Sequence, residues 1–169
     1  MGPRYAFNNV LILHPELSGP DFAEDIHQLR DWRMNPVLVL HPATSEEFLR
    51  RVPEAGELQM VMSENAQDFV GALKAGFFLV KKPCFYVRYG TDNAPLKSMA
   101  SFAANWSGRL HPNTERFTDF HIAGTPAFGW ITSEGLRLLK TLSPHDDLWQ
   151  KSELRIYTES AGTYAAKTS

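Results

Sequence analysis

Four short runs of this chain are predominantly apolar, the first two from end to end, and the pattern after each is helical. The runs are Val10 to Leu13 in "NNVLIL", Val37 to Leu40 in "NPVLVL", "LQMVM" from Leu58, and "CFYVRYG" from Cys84. A strand with one face in water alternates apolar and polar side chains, whereas a strand covered on both faces does not have to. Continuous runs of this length, bounded by Asn, Pro and Gly, therefore predict buried strands of a parallel sheet. Between them, Phe22, Ile26 and Leu29 share one helical face, with Asp21 and Glu24 in the first turn where the helix dipole favours acids. Thr44 and Glu47 have the spacing of a capping box before "FLRRV". Ala66, Phe69, Val70, Leu73, Phe77 and Val80 line one side of a third helix. Its spacing continues past Gly76, which predicts an end at Lys81-Lys82 with Pro83 as the stop.

Strand, helix, strand with short loops is the βαβ unit. The expected fold is α/β: a three-layer, Rossmann-like domain with a mainly parallel sheet of five or six strands and helices on both faces. After Gly90 the pattern loosens. Leu96, Met99, Phe102, Ala103 and Trp106 make a helical face after Pro95. Ser107 to Trp130 has turn residues and aromatics without a clear period, with a strand expected near Phe117 to Ile122. A helix capped by Thr132 or Ser133 follows, then a last strand at "ELRIYT". Residues 1–158 are expected as a single α/β domain and 159–169 as a flexible tail.

The chain has 169 residues, 43% hydrophobic and 21% charged, with a net charge of −2. A chain of this size buries about 70% of the surface it exposes when unfolded. With no strong field of either sign, non-specific attraction to nucleic acid or to an anionic membrane is not expected. The one cysteine, Cys84, excludes an internal disulfide and suits a reducing compartment. No apolar run approaches the ~20 residues that span a bilayer, and "MGPRYAFNN" has no signal-peptide core. A soluble, cytoplasmic protein is the expectation. Cys84, at the head of a buried strand, is expected to be inert rather than a nucleophile activated by Lys81 and Lys82.

Three of the six histidines stand in an identical setting, Leu-His-Pro, at His14, His41 and His111. His14 and His41 close the first two predicted strands. In a parallel sheet both would lie at the carboxyl end, where open α/β sheets bind ligands. Two readings follow. In one, His-Pro only ends strands, since proline cannot donate to a continuing ladder. In the other, His14 and His41 are an acid/base pair, because imidazole titrates close to neutral pH. Glu16 or Glu64 would then orient a ring, and Ser18 or Ser63 would hold the substrate. A weaker metal alternative uses Asp119 and His121, whose i, i+2 spacing puts both on one side of a strand. A full metal site needs three or four ligands, so no metal is assigned.

No G-x-G-x-x-G, G-x-x-x-x-G-K-[ST] or G-x-S-x-G motif follows any predicted strand. No cofactor is expected. The leading functional expectation is an interaction or regulatory module acting through a protein partner. Its contacts would be Arg109, Phe128 and Trp130 in the irregular stretch, since loops on a rigid scaffold commonly carry function. The rival is a hydrolase or group-transfer enzyme acting on a small phosphorylated or nucleotide-like substrate at the carboxyl rim, with or without a metal.

Overall fold

A computed structural model of the chain describes residues 9–13, 22–51, 58–89, 94–104, 117–122, 125–146, 154–160 and 163–166. Strand β1 (Asn9–Leu13), helix α1 (Phe22–Asp31), β2 (Asn35–Leu40), α2 (Pro42–Arg51) and β3 (Gln59–Met62) open the chain. A 3₁₀ turn (Glu64–Gln67), α3 (Phe69–Val80), β4 (Cys84–Arg88), α4 (Ala94–Ala104) and β5 (Phe117–Ile122) follow. Then come β6 (Thr125–Ile131), α5 (Ser133–Thr141), β7 (Leu154–Ser160) and β8 (Thr163–Ala166). The fold is α/β, as the alternation of runs predicts. Among the described residues no helix is long and apolar enough to cross a membrane.

The strands form one sheet in the order β3-β2-β1-β4-β6-β5-β7-β8. Its first six members make a mixed, mostly parallel sheet, which β7 and β8 extend. β1 pairs in parallel with β2 and β4, and β2 with β3. The correction to a simple parallel sheet is β6, which runs antiparallel to both β4 and β5. β6 falls in the stretch read as irregular because Pro126 and Gly129 interrupt its pattern. Pro126 is tolerated because it faces His121 at the point where the β5–β6 register shifts. The expected strand near Phe117 to Ile122 is β5. Residues 163–166, within the expected tail, pair with β7 instead.

Two inversions of direction, β4 to β6 and β6 to β5, leave β5 running the same way as β1 to β4. The carboxyl ends of β1, β2, β3, β4 and β5 therefore share one rim. The chain adds β2 and β3 on one side of β1, then returns to place β4 on the other. Strand order reverses at the β1–β4 boundary, where Leu13 pairs with Arg88 and the Tyr89 N–H donates to the Leu13 carbonyl at 3.1 Å.

The sheet buries three of the four apolar runs, whereas β3, at its edge, stays half-exposed, with Met62 58% exposed. Val10 to Leu13, Val37 to Leu40 and Cys84 to Val87 are all in the core, each large apolar side chain contributing about 1.5–3 kcal/mol over an exposed one. Phe69, at the start of α3, meets the Tyr86 ring edge-on at 5.4 Å. Phe85 points to the opposite face, where it packs with Phe102 of α4 and with Trp130. α3 runs past Gly76 and ends at Lys81, whose φ of 60° turns the backbone left-handed while its N–H donates to the Phe77 carbonyl. Gly76 is thus an approach point rather than a cap: a Cβ there would stand 2.7 Å from Leu11 Cδ1, so glycine lets the helix sit down on β1 and β2. Burial pushes the Cys84 thiol well up from its usual value, in keeping with an inert core cysteine.

Candidate functional site

β4 and β5 bring four polar side chains together on the α3 face of the sheet. Tyr86 and Arg88 are two apart on β4, and Asp119 and His121 two apart on β5, so each pair shares a face. The Tyr86 hydroxyl donates to Asp119 Oδ1 at 2.7 Å. His121 Nε2 lies 3.0 Å from Asp119 Oδ2. Arg88 Nη2 is 3.5 Å from the same Oδ2, an ion pair without hydrogen-bond geometry. Asp119 is completely buried and His121 nearly so, whereas a quarter of the Arg88 side-chain surface is exposed.

These groups meet across an intervening strand because β6 presents almost nothing on that face. Gly129 pairs with both Tyr86 and Asp119. A Cβ at Gly129 would stand 2.2 Å from the Tyr86 hydroxyl oxygen, so the ring tip occupies the space a side chain would take. Ala127, two residues away on the same face, is also small. The guanidinium of Arg88 is covered by the Phe69 ring, with Cζ 3.7 Å from its centroid. Arg88 Nε and Nη2 are buried and have no hydrogen-bond partner among the described residues. A buried N–H without an acceptor costs about 1–3 kcal/mol, more in a charged group, and such groups in a native fold call for an acceptor.

The Tyr86 phenol is held well above its ordinary range, first by burial and then by the Asp119 carboxylate facing it. The folded state thus retains a proton that the unfolded chain gives up near pH 10. Stability is fully present below about pH 10 and falls as pH rises beyond it, by at most ~1.4 kcal/mol per pH unit for one group. Urea midpoints measured between pH 8 and 11 should fall only above pH 10. Tyr86→Phe should flatten that part of the curve; an unchanged slope would assign the alkaline loss to another group.

Other residues singled out in the sequence are arranged differently. His41 precedes the first residue of α2 and acts as its cap: the Ala43 N–H donates to His41 Nδ1 at 3.0 Å. Its Nε2 lies 2.9 Å from the Gln67 side-chain amide nitrogen. The helix begins at Pro42, ahead of the expected capping box, so Thr44 lies inside it. Glu47 instead pairs with Arg51 at 3.1 Å. Ser63 Oγ accepts from the Asn65 N–H at 3.1 Å and caps the 3₁₀ turn, on which Glu64 is exposed. At ~4.8 Å per strand, β2 lies about 10 Å from β4 and about 20 Å from β5. His41 and the Asp119 cluster are therefore separate places on one rim.

His14, Glu16, Ser18, Arg109 and His111 lie outside the described residues. Phe128 and Trp130, expected as surface contacts, are a correction: they are 0% and 1% exposed. Phe128 stacks on Phe120 at 4.5 Å and Trp130 packs on Phe85 at 5.0 Å. They alternate with Gly129 on β6, so they point to the α4 face, into the core. Asp119 and His121 do meet, but among the described residues no group of three His, Cys, Asp or Glu side chains could hold a metal ion. Arg88 and Tyr86 were visible in the sequence only as an arginine among aromatics. What could have singled them out is the small-residue pattern Ala127-x-Gly129 on a facing strand.

His41→Ala should destabilise the fold by about 0.5–2 kcal/mol through loss of the cap, and His41→Asn should recover most of that. Urea unfolding of the two variants decides it, and an Asn variant no better than Ala would dismiss the capping role.

Comparison with protein-family models, with curated proteins and with solved structures returned no match. The functional reading rests on the geometry of the rim.

Proposed function

We propose that the carboxyl rim at the β1–β4 boundary binds a small phosphorylated or nucleotide-like ligand through Arg88, and that the protein is a hydrolase or group-transfer enzyme acting on it. The observation that carries this reading is the position of Arg88. It ends β4 at the point where strand order reverses, the place where open α/β sheets form a ligand crevice. Its side chain is charged, a quarter exposed and fixed in direction by Phe69 and Asp119, while its buried Nε and Nη2 find no hydrogen-bond acceptor among the described residues. Phosphate oxygens match a guanidinium fork in charge and geometry. The order β3-β2-β1-β4 also supports a Rossmann-like reading of the first half of the sheet.

In this proposal Asp119 is a positioning residue. It neutralises part of the Arg88 charge from beneath and holds the Tyr86 hydroxyl and the His121 ring in one network. His121 is too deeply buried to touch a ligand, so it acts through Asp119. The acid/base role stays with His14, which follows Leu13 in the sequence; His41 is committed to its cap.

The test is calorimetric titration of the full chain with inorganic phosphate and with nucleoside mono-, di- and triphosphates. At least one should bind, and Arg88→Met should weaken it roughly 10- to 100-fold, the equivalent of one charge-assisted hydrogen-bonded pair. Arg88→Lys should fall between, since it keeps the charge and loses the fork. Circular dichroism of each variant separates loss of binding from loss of fold. Absence of binding to every probe, or equal binding by a folded Arg88→Met, would overturn the reading.

A further inference from the structure

The groove between α3 and α5 carries a different kind of surface, remote in chemistry from the Arg88 rim. Phe77, Leu136 and Leu139 contribute apolar lining, Phe78 joins them, and Lys74, Lys81 and Lys140 complete it around a space of about 450 Å³. Among the described residues, none that lines this groove is acidic. Phe77 and Leu139 are buried in the fold, but Phe78 is 78% exposed and the adjacent Leu79 is 42% exposed. Large apolar side chains exposed beside a concave apolar surface mark interaction sites more often than scattered ones do.

Two of the lysines are held at the groove rather than free in solvent. Lys81 Nζ stands over the Phe78 ring, 5.8 Å from its centroid. Lys74 Nζ donates to the Leu142 carbonyl at the end of α5. Lys140, in the last turn of α5, is exposed. The chain as a whole is slightly acidic, at −2, so this positive rim is a local feature.

We infer that the α3–α5 groove docks a segment of a partner protein that presents large apolar side chains on one helical face, flanked by Asp or Glu. Charge complementarity selects the flanks: the three lysines would meet carboxylates and repel a basic segment. The apolar lining selects the anchors, at the i, i+3, i+4, i+7 spacing of a helix lying in a groove. Phe78, in the lining and 78% exposed, carries the apolar surface out of the groove toward solvent, which suits a polypeptide rather than a small amphiphile. This role is independent of the ligand site at Arg88.

The probe is a fluorescein-labelled helical peptide with leucines at i, i+3, i+4 and i+7 and glutamates elsewhere. Its counterpart has lysine in place of every glutamate. Anisotropy titrations with the full chain should show the acidic peptide binding at least roughly tenfold tighter than the basic one, and more weakly at high salt. Phe78→Ser and Lys140→Glu should each weaken it several-fold. Both positions are exposed, and unchanged circular dichroism would show both variants folded. Equal binding of the two peptides, or an acidic peptide indifferent to Phe78→Ser, would overturn the inference. So would capture of phosphatidylserine vesicles without peptide binding, which would assign the face to a membrane.

Discussion

Asp119→Ala should cost about 3–5 kcal/mol of stability, the loss expected when one partner of a buried charged pair is removed. The carboxylate accepts from the Tyr86 hydroxyl, faces His121 Nε2 and compensates Arg88. Removing it strands a buried phenol and a partly buried guanidinium at once. Asp119→Asn keeps an acceptor for Tyr86 but no charge for Arg88, so its loss should be smaller. The double variant Asp119→Ala with Arg88→Met should be more stable than Asp119→Ala alone, because it leaves no uncompensated charge. Urea unfolding of the four proteins forms the cycle. A single-variant loss under about 1 kcal/mol would mean that the carboxylate is not the hub of the cluster.

Gly129→Ala should destabilise the fold by about 1–3 kcal/mol or more, an overpacking effect. The new methyl would stand 2.2 Å from the Tyr86 hydroxyl oxygen, 2.3 Å from Cζ and 2.5 Å from the Thr118 carbonyl oxygen. The ring can move only by giving up its bond to Asp119, and the carbonyl belongs to the paired strand β5. Tyr86→Phe in the same background should relieve little, because Cζ stays in place. Tyr86→Ala should relieve more, so that Gly129→Ala and Tyr86→Ala together cost less than the sum of the two alone. Neighbouring sites that compete for one space are non-additive in this way. Strict additivity in thermal or urea unfolding would show that Tyr86 does not fill the space above Gly129.

The cluster at Asp119 escaped a reading of the sequence for a definite reason. Its members come from two segments, at positions 86 to 88 and 119 to 121, joined by a third strand that contributes only room. Asp119 and His121 share one side of a strand, which the i, i+2 spacing states directly. That Tyr86 and Arg88 reach them depends on β6 inserting antiparallel between β4 and β5, and the Pro126 and Gly129 that make this insertion workable are the residues that hide the strand. The same two-residue alternation reverses the reading of Phe128 and Trp130. Aromatics in an irregular stretch suggest a contact surface, but on a strand they point away from Gly129 and into the aromatic core beside α4.

Local pattern determined the alternation of strands and helices in the first half of this protein, the continuation of α3 past Gly76 and, further along, the helix cap at Thr132, whose Oγ1 accepts from the Gly135 N–H. These are short-range consequences of periodicity, helix capping and the avoidance of unpaired backbone groups, and each is written within a dozen residues. Tertiary structure alone decided which strands are neighbours, and so which side chains meet. Pairing is set by burial summed over the whole sheet, in which no single segment carries a signal for its partner. Only at that level does Arg88 come to stand where strand order reverses, with Asp119 beneath it and Phe69 across its face.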